Sequence, residues 1–379
     1  MTKARDLADT AGEVGGGDAL GTVTGADLDL STGNFFEMTT EDQTLSFSNA
    51  PAAYEFRIKL TGAGTIQSYS LSSASYDNVS FSVAAQDNYP YGLTFSPDGL
   101  KMFMLGITSD QIYQYTLTTA FDLTTAGYSG KSFNMATRDT IPTMIVFNAD
   151  GTKMYSGGAS TDRLYQFTLA TAYDLSAVTY DNVSFSFASQ AGLPRGVTFS
   201  NDGTKMFMGA DGNSVFQYNL GSPFAINTAS YSTTLDISAQ DSNPKLVEFN
   251  ADGTKMFILT DGGIVYQYTL TTAFILSTAS YDGVSFSVAA QTGASSNATA
   301  AVFSTDGNKM FVMSSGSDAV YQYNTLGINT ATITYPASVK FSGATLPTVP
   351  SIGEVDTLGF YTVDGGTTFY AYQLGDNHA

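Results

Sequence analysis

Five Asp–Gly pairs recur along this chain, at Asp98-Gly99, Asp150-Gly151, Asp202-Gly203, Asp252-Gly253 and Asp306-Gly307. Carboxylates at equivalent positions of a repeat would form a ring, and a ring of acids raises the question of calcium. A calcium loop, however, needs several closely spaced acidic ligands, and these pairs stand alone. Asp–Gly is also the common chemistry of a hairpin turn, because Gly takes positive φ and Asp bonds its own backbone. The pairs are read as structural turns and no metal is expected. Each is followed by a lysine, Lys101, Lys153, Lys205, Lys255 or Lys309. These are read as solvated strand-edge lysines that deter edge pairing, and the methionine after each as packing.

Catalytic chemistry finds little support. There is no cysteine, so thiolate nucleophiles, disulfides and Cys-metal sites are excluded. The only histidine, His378, stands next to the end of the chain, where it reads as tail. No Gly-x-Ser-x-Gly elbow, phosphate loop or metal motif occurs. A glycosidase pair of carboxylates needs a set separation, which sequence cannot single out among 34 Asp and Glu. No catalytic residue and no cofactor is assigned, and a non-enzyme is expected.

The spacing of the pairs is the main structural signal. They lie 50 to 54 residues apart, a period typical of a propeller-type array. Each unit reads as four short strands. In the first they are "GLTFS" (92–96), "KMFML" (101–105), "QIYQYTL" (111–117) and "KSFNM" (131–135). A lone blade leaves both faces bare, so a closed ring is the stable object. Phe95, Phe147, Phe199, Phe249 and Phe303 end the first strands and are expected between blades. The last unit stops after its third strand, and "NVSFSV" (78–83) precedes the first as an orphan fourth strand that can close the ring. "TIQSYSL" (65–71) looks like an extra third strand, which leaves a sixth, incomplete blade as the alternative to five.

Antiparallel order puts the loops between strands two and three, and between four and one, on one face. There the repeat decays. Asp87, Tyr89, Tyr91, Arg138, Asp139, Arg163, Arg195, Asp241 and Lys245 are the candidate ligand-binding residues, with Asp110, Asp162, Asp261 and Asp318 on the same face. Aromatic rings stack on sugar C–H groups while Asp and Arg bond hydroxyls, so glycan or receptor contact is the function expected there.

Composition agrees with an all-β chain: 26 Phe, 23 Tyr and 37 Gly, with only 13% charged residues. A net charge of −19 without a basic stripe argues against nucleic acid. "MTKARDLADTAGEVGGG" lacks the apolar core of a secretory signal, no run is long enough to span a membrane, and sequons such as Asn78-Val79-Ser80 read as strand.

Residues 25–63 and 331–379 leave the repeat and are expected to form together a small β-sandwich of about eight strands, with the propeller (64–330) inserted between them and an attachment segment and Gly-rich linker at 1–24. The phrases "KARDLAD", "DLSTGNFFEMTTEDQTLSFSN", "YEFRIKLT" and "ITYPASVKFSG…VDTLGFYTVDGGTTFYAYQLG" resemble a β-domain of marine-phage tail fibre and related virion proteins. "DGTKMF", "VYQYTL" and "TASYDNVSFSV" resemble repeats of phage structural and bacterial surface proteins. The resemblance implies a virion protein that attaches to other virion proteins through its N-terminal segment, displays the propeller toward a host glycan or receptor, and assembles as a homotrimer. The alternatives are a decoration protein without receptor binding, a glycan-degrading propeller enzyme, and a bacterial surface adhesin.

Overall fold

A computed structural model describes residues 19–39, 43–62, 64–293, 297–330, 333–341, 346–347, 349–350 and 354–378. It divides into two compact units. One contains residues 68–327, and the other the described residues before and after that stretch. Among the described residues no helix is long and apolar enough to cross a membrane.

The 68–327 unit is a β-propeller of five four-stranded antiparallel sheets. The first contains Pro90–Phe95, Lys101–Gly106, Gln111–Leu117 and Ala126–Asn134, paired in chain order. The innermost strands of the next four are Pro142–Phe147, Pro194–Phe199, Pro244–Phe249 and Ala298–Phe303. Each innermost strand touches the next, and the fifth touches the first, so the cycle closes. The fifth sheet takes its outer strand from before the first repeat: Ser75–Ser82 pairs with Ala319–Asn324, as the orphan strand implied.

The repeated phrase explains itself in this frame. The turn glycines have φ of +67° to +73°. A Cβ on any of them would run into an aromatic ring, from Phe121, Tyr173, Phe224, Phe274 or Tyr69. Those five residues have φ of +52° to +59°, and each donates its N–H to the carbonyl of the glycine it covers, at 2.6–3.0 Å. Gly is required twice over, for conformation and for room. The Asp carboxylates accept from the turn: Asp98 from Ser96 Oγ at 2.5 Å and the Leu100 N–H at 3.0 Å, Asp150 from Thr152, Asp202 from Ser200 and Thr204, Asp252 from Thr254 and Asp306 from Ser304.

Packing between sheets uses one further aromatic position. Phe95, Phe147, Phe199, Phe249 and Phe303 lie 4.5–5.0 Å, centroid to centroid, from Phe311, Phe103, Tyr155, Phe207 and Phe257 of the preceding sheet. Met102, Met154, Met206, Met256 and Met310 are fully buried. The Gln of the "YQY" phrase reaches the following sheet. Gln114, Gln217 and Gln322 accept the N–H groups of Leu175, Leu276 and Leu123.

Four sequence expectations need correction. The lysines after the turns are not at an edge, because the second strand is paired on both sides. Lys101 and Lys309 instead donate to linker carbonyls of the next sheet, at Tyr173 (2.9 Å) and Phe121 (3.1 Å), and Lys153 pairs with Asp181 at 2.7 Å. Residues 65–71 are not a third strand. Gly64–Gln67 pairs with Gly327–Thr330, and Tyr69 to Ser73 repeat the linker between strands three and four, including its short 3-10 turn. The fourth strand is longer than 131–135, because a bulge opposite Gln114 and Tyr115 lets it continue back to Ala126. The linker proposed within 1–24 ends earlier. Gly21 donates to the Phe35 carbonyl and Thr22–Thr24 is already a strand, while residues 1–18 lie outside the described residues.

The other unit has a five-stranded sheet in the order Phe35–Thr39, Tyr54–Thr61, Val355–Thr362, Phe369–His378, Val339–Phe341. A three-stranded sheet of Thr22–Thr24, Asp27–Asp29 and Ser46–Ser48 faces it, and Gln43–Thr44 pairs with Ile333–Thr334. Phe47 of the small sheet packs on Phe56, Phe360 and Phe369 of the large one at 4.8–5.5 Å. This is a sandwich core, made from ten described strands rather than eight.

Candidate functional site

The loop face is built on one bulge repeated five times. In every sheet the second residue of the innermost strand is skipped by the ladder: Tyr91, Thr143, Arg195, Lys245 and Thr299. A bulge re-aims a side chain, and here the five side chains link different sheets. Thr143 Oγ1 donates to the Pro194 carbonyl (2.8 Å), Lys245 Nζ to the Ala298 carbonyl (2.8 Å) and Thr299 Oγ1 to the Pro90 carbonyl (3.2 Å). Arg195 of the third sheet reaches Tyr91 of the first, Nη1 to Oη at 3.1 Å.

Two loop carboxylates neutralise the two cations. Asp211 accepts from Arg195 Nε (2.8 Å) and Nη2 (2.7 Å), a bidentate pair of the strong kind. Asp261 pairs with Lys245 at 2.9 Å and accepts from Asn243 Nδ2 at 2.9 Å. Burial pushes the Tyr91 hydroxyl up to about 12, against the pull of Arg195. The Arg195 cation is stabilised, chiefly by the hydrogen bonds it donates to Asp211. Burial lowers Lys245, and Asp261 partly offsets this.

Of the candidate residues, Tyr91, Arg195 and Lys245 therefore come together. Asp87, Asp139 and Asp241 lie on the same face but are not available to a ligand as expected. Asp87 accepts from the Tyr89 and Ser109 N–H groups and from Ser109 Oγ. Asp139 accepts from the Ile141 N–H and from the Ser160 and Thr161 hydroxyls. Asp241 accepts from Thr260 Oγ1 and the Ser242 and Gly262 N–H groups. Each ties the loop entering one sheet to the loop between that sheet's second and third strands. Arg138 and Arg163 are held at the outer strand of the second sheet, away from the central cluster. Arg138 lies over the Tyr180 ring at 4.1 Å and Arg163 donates to Ser184 Oγ at 3.2 Å.

What faces solvent is an apolar arc. Tyr89, Ile141 and Leu193 are 47%, 44% and 42% exposed. They occupy one position, just before the strand-one proline, in three consecutive sheets; Asn243 and Asn297 hold it in the other two. Leu193 has φ of +102°, a strained value for a branched residue, and its N–H is held by Asp162 Oδ1 at 3.0 Å. The arc borders the Tyr91–Arg195 pair, since each arc residue is two positions from a bulged one. Sequence reasoning found Tyr89 but missed Ile141, Leu193, Asp211, Thr143 and Thr299. The recurring x-Pro-x at "YPY", "IPT", "LPR" and "NPK" was the signal for most of them. Among the described residues no group of three or more acidic or His side chains is placed to hold a metal ion.

No family model and no curated protein matches the chain. Among solved structures it is similar to the β-propeller domain of Cps50 (Swd1) from Myceliophteria thermophila, at 8% identity and a TM-score of 0.39, over 66% of this chain and 99% of that domain. It is also similar to Sqt1 from Chaetomium thermophilum, at 12% and 0.36, over 62% and 59%. A Bacteroides fragilis protein provisionally named a 6-phosphogluconolactonase aligns at 14% and 0.38, over 52% of this chain and 55% of that protein. The chain thus spans little more than half the length of the last two.

Proposed function

We propose that this is a non-catalytic virion attachment protein whose propeller contacts a host-surface glycan through the loop face. The observation that carries the reading is the arc of Tyr89, Ile141 and Leu193, exposed in three successive sheets beside the Tyr91–Arg195 pair. Exposed apolar side chains repeated at one position of a face, beside polar ones, suit a contact surface, and a strained residue in such a place points the same way. Apolar groups flanking hydrogen-bonding ones suit the alternating C–H and hydroxyl faces of a sugar. The engagement of Asp87, Asp139 and Asp241 by loop donors supports the non-catalytic part, since none of these three stands as an open acid or base. The outer β unit would carry the attachment to other virion proteins and a trimeric assembly, on the strength of the sequence resemblance alone.

Glycan-array binding of the whole protein tests this. Binding that falls at least about tenfold on Tyr89→Ala and on Ile141→Ala, with melting curves unchanged, is the expected result. Binding unaffected by both changes would place the contact elsewhere. Absence of binding to any host glycan would favour decoration, and release of reducing sugar would overturn the non-catalytic reading.

A further inference from the structure

The opposite face, where the Asp–Gly turns lie, holds an acid that the repeat does not explain. Glu248 is the fifth residue of its innermost strand. The other four sheets have Thr94, Val146, Thr198 and Val302 at that position. Its side chain is part-buried in the wall of a cavity, where a carboxyl is costly unless something compensates it. Among the described residues no Lys or Arg forms an ion pair with it; the Phe249 N–H is its hydrogen-bonding neighbour. Burial accordingly pushes the Glu248 carboxyl up to about 8.

Glu248 also lines a cavity of about 320 Å³, with Tyr69, Asn201, Phe249, Phe303 and Thr305. Three of these walls are aromatic. Phe303 and Tyr69 have centroids 5.4 Å apart, and Phe249 comes from the strand of Glu248 itself. The Asn201 side chain spans from the third sheet to the fourth, donating to the Ala251 carbonyl at 2.5 Å, which leaves its oxygen as an acceptor. Aromatic faces attract cations through their quadrupole, most strongly where water is reduced. A carboxylate beside them supplies the counter-charge. The volume suits a small molecule.

We propose that this cavity binds an organic ammonium group, with Glu248 as its counter-ion and Tyr69, Phe249 and Phe303 as its walls. The site belongs to one place in the ring, because only the fourth sheet carries the acid. Occupation by a cation stabilises the ionised carboxylate, so a bound ammonium expels the proton that Glu248 holds at neutral pH. The neighbouring titratable groups do not confuse that signal. Burial, with Glu248 and Asp306 adding to it, pushes Tyr69 up to about 12. Asp252 is held low by Thr254, and Asp306, though raised by burial, is brought low by Ser304 and Asn308.

The test is calorimetry on the whole chain with choline, with its neutral isostere 3,3-dimethyl-1-butanol, and with Nα-acetyl-lysine methylamide. The ammonium probes should bind about tenfold or more tightly than the neutral alcohol, with close to one proton released per choline at pH 6.5 in buffers of different ionisation enthalpy. Tighter binding of choline points to a free small ammonium ligand, and tighter binding of the lysine probe to a side chain of a protein; either supports the site. Glu248→Gln should abolish both the preference and the proton release while the melting curve is kept. Phe303→Leu gives a second reading, a weaker affinity with proton release intact. Equal binding of choline and the alcohol, or no binding of either ammonium probe, would overturn the proposal. Neither outcome bears on the glycan reading, which concerns the other face.

Discussion

Arg195 and Tyr91 meet at 3.1 Å although 104 residues and one whole sheet separate them. The hydrogen bond joins the first sheet to the third, so it holds residues that are not neighbours around the ring. Its acid partner, Asp211, comes from the third sheet's own loop.

Arg195→Ala should therefore cost more than an ordinary surface change. It leaves Asp211, about three-quarters of whose side chain is covered, and the hydroxyl of the buried Tyr91 without their partner. The expected loss is about 2–3 kcal/mol, and about 1 kcal/mol for Tyr91→Phe. Urea unfolding of the two variants and the double variant measures both, and the double should lose less than the sum.

The turn glycines separate strain from crowding. Gly151 has φ of +71° and lies under the Tyr173 ring, whereas Gly130 has φ of +79° in open space. Gly130→Ala should cost about 1 kcal/mol and Gly151→Ala about 3 kcal/mol. Equal losses in thermal unfolding would mean that the ring moves aside freely.

Acid should loosen the propeller from its turn face. Hydrogen bonds from Ser96, Thr152, Ser200 and Thr254 hold Asp98, Asp150, Asp202 and Asp252 below the usual 3.8, Asp202 down to about 2. A depressed folded-state value means the stabilisation is full above 3.8 and is lost as pH falls through the folded values. The melting temperature should thus fall between pH 4 and 2, and Asp202→Asn should flatten that fall.

Leu193→Gly tests whether the strained backbone serves binding. Gly adopts φ of +102° without penalty, and Leu193 buries little, so stability should rise by about 0.5–1 kcal/mol. Affinity for the loop-face ligand should drop with it. A variant that gains stability and keeps affinity would make Leu193 an accident of loop geometry.

Much of this fold was legible because each sheet must solve the same local problem. A turn that needs positive φ writes Asp–Gly, and a strand between sheets writes Lys-Met-Phe, so the sequence repeats wherever the physics does. The orphan strand 78–83 was legible for the same reason. Tyr69 was misread because its function depends on a distant turn: it covers Gly307, 238 positions away, and only that partner makes it a linker residue. The site was harder. Arg195 and Lys245 stood out as rare cations, but Thr143 and Thr299 fill the same bulge with ordinary residues. Asp87 and Asp139 drew attention as acids, and their loop partners Ser109 and Thr161 gave no sign of claiming them. Whether a polar side chain is free or engaged is a matter of three-dimensional closure, which no local pattern encodes.

The fifth sheet, assembled from both ends of the insertion, also decides how the ring answers to force. Ser75 is paired with Asn324, so the strands that leave the ring depart from adjacent positions on an antiparallel seam. Tension applied there would open the seam one hydrogen bond at a time, the weakest way to load a sheet. Gly64–Gln67 and Gly327–Thr330 pair with each other on the same two stretches of chain, outside the seam. That short clasp lies upstream of the seam on both tethers. A pull arriving along the two tethers must part the clasp first, and the seam of the fifth sheet carries load only after that.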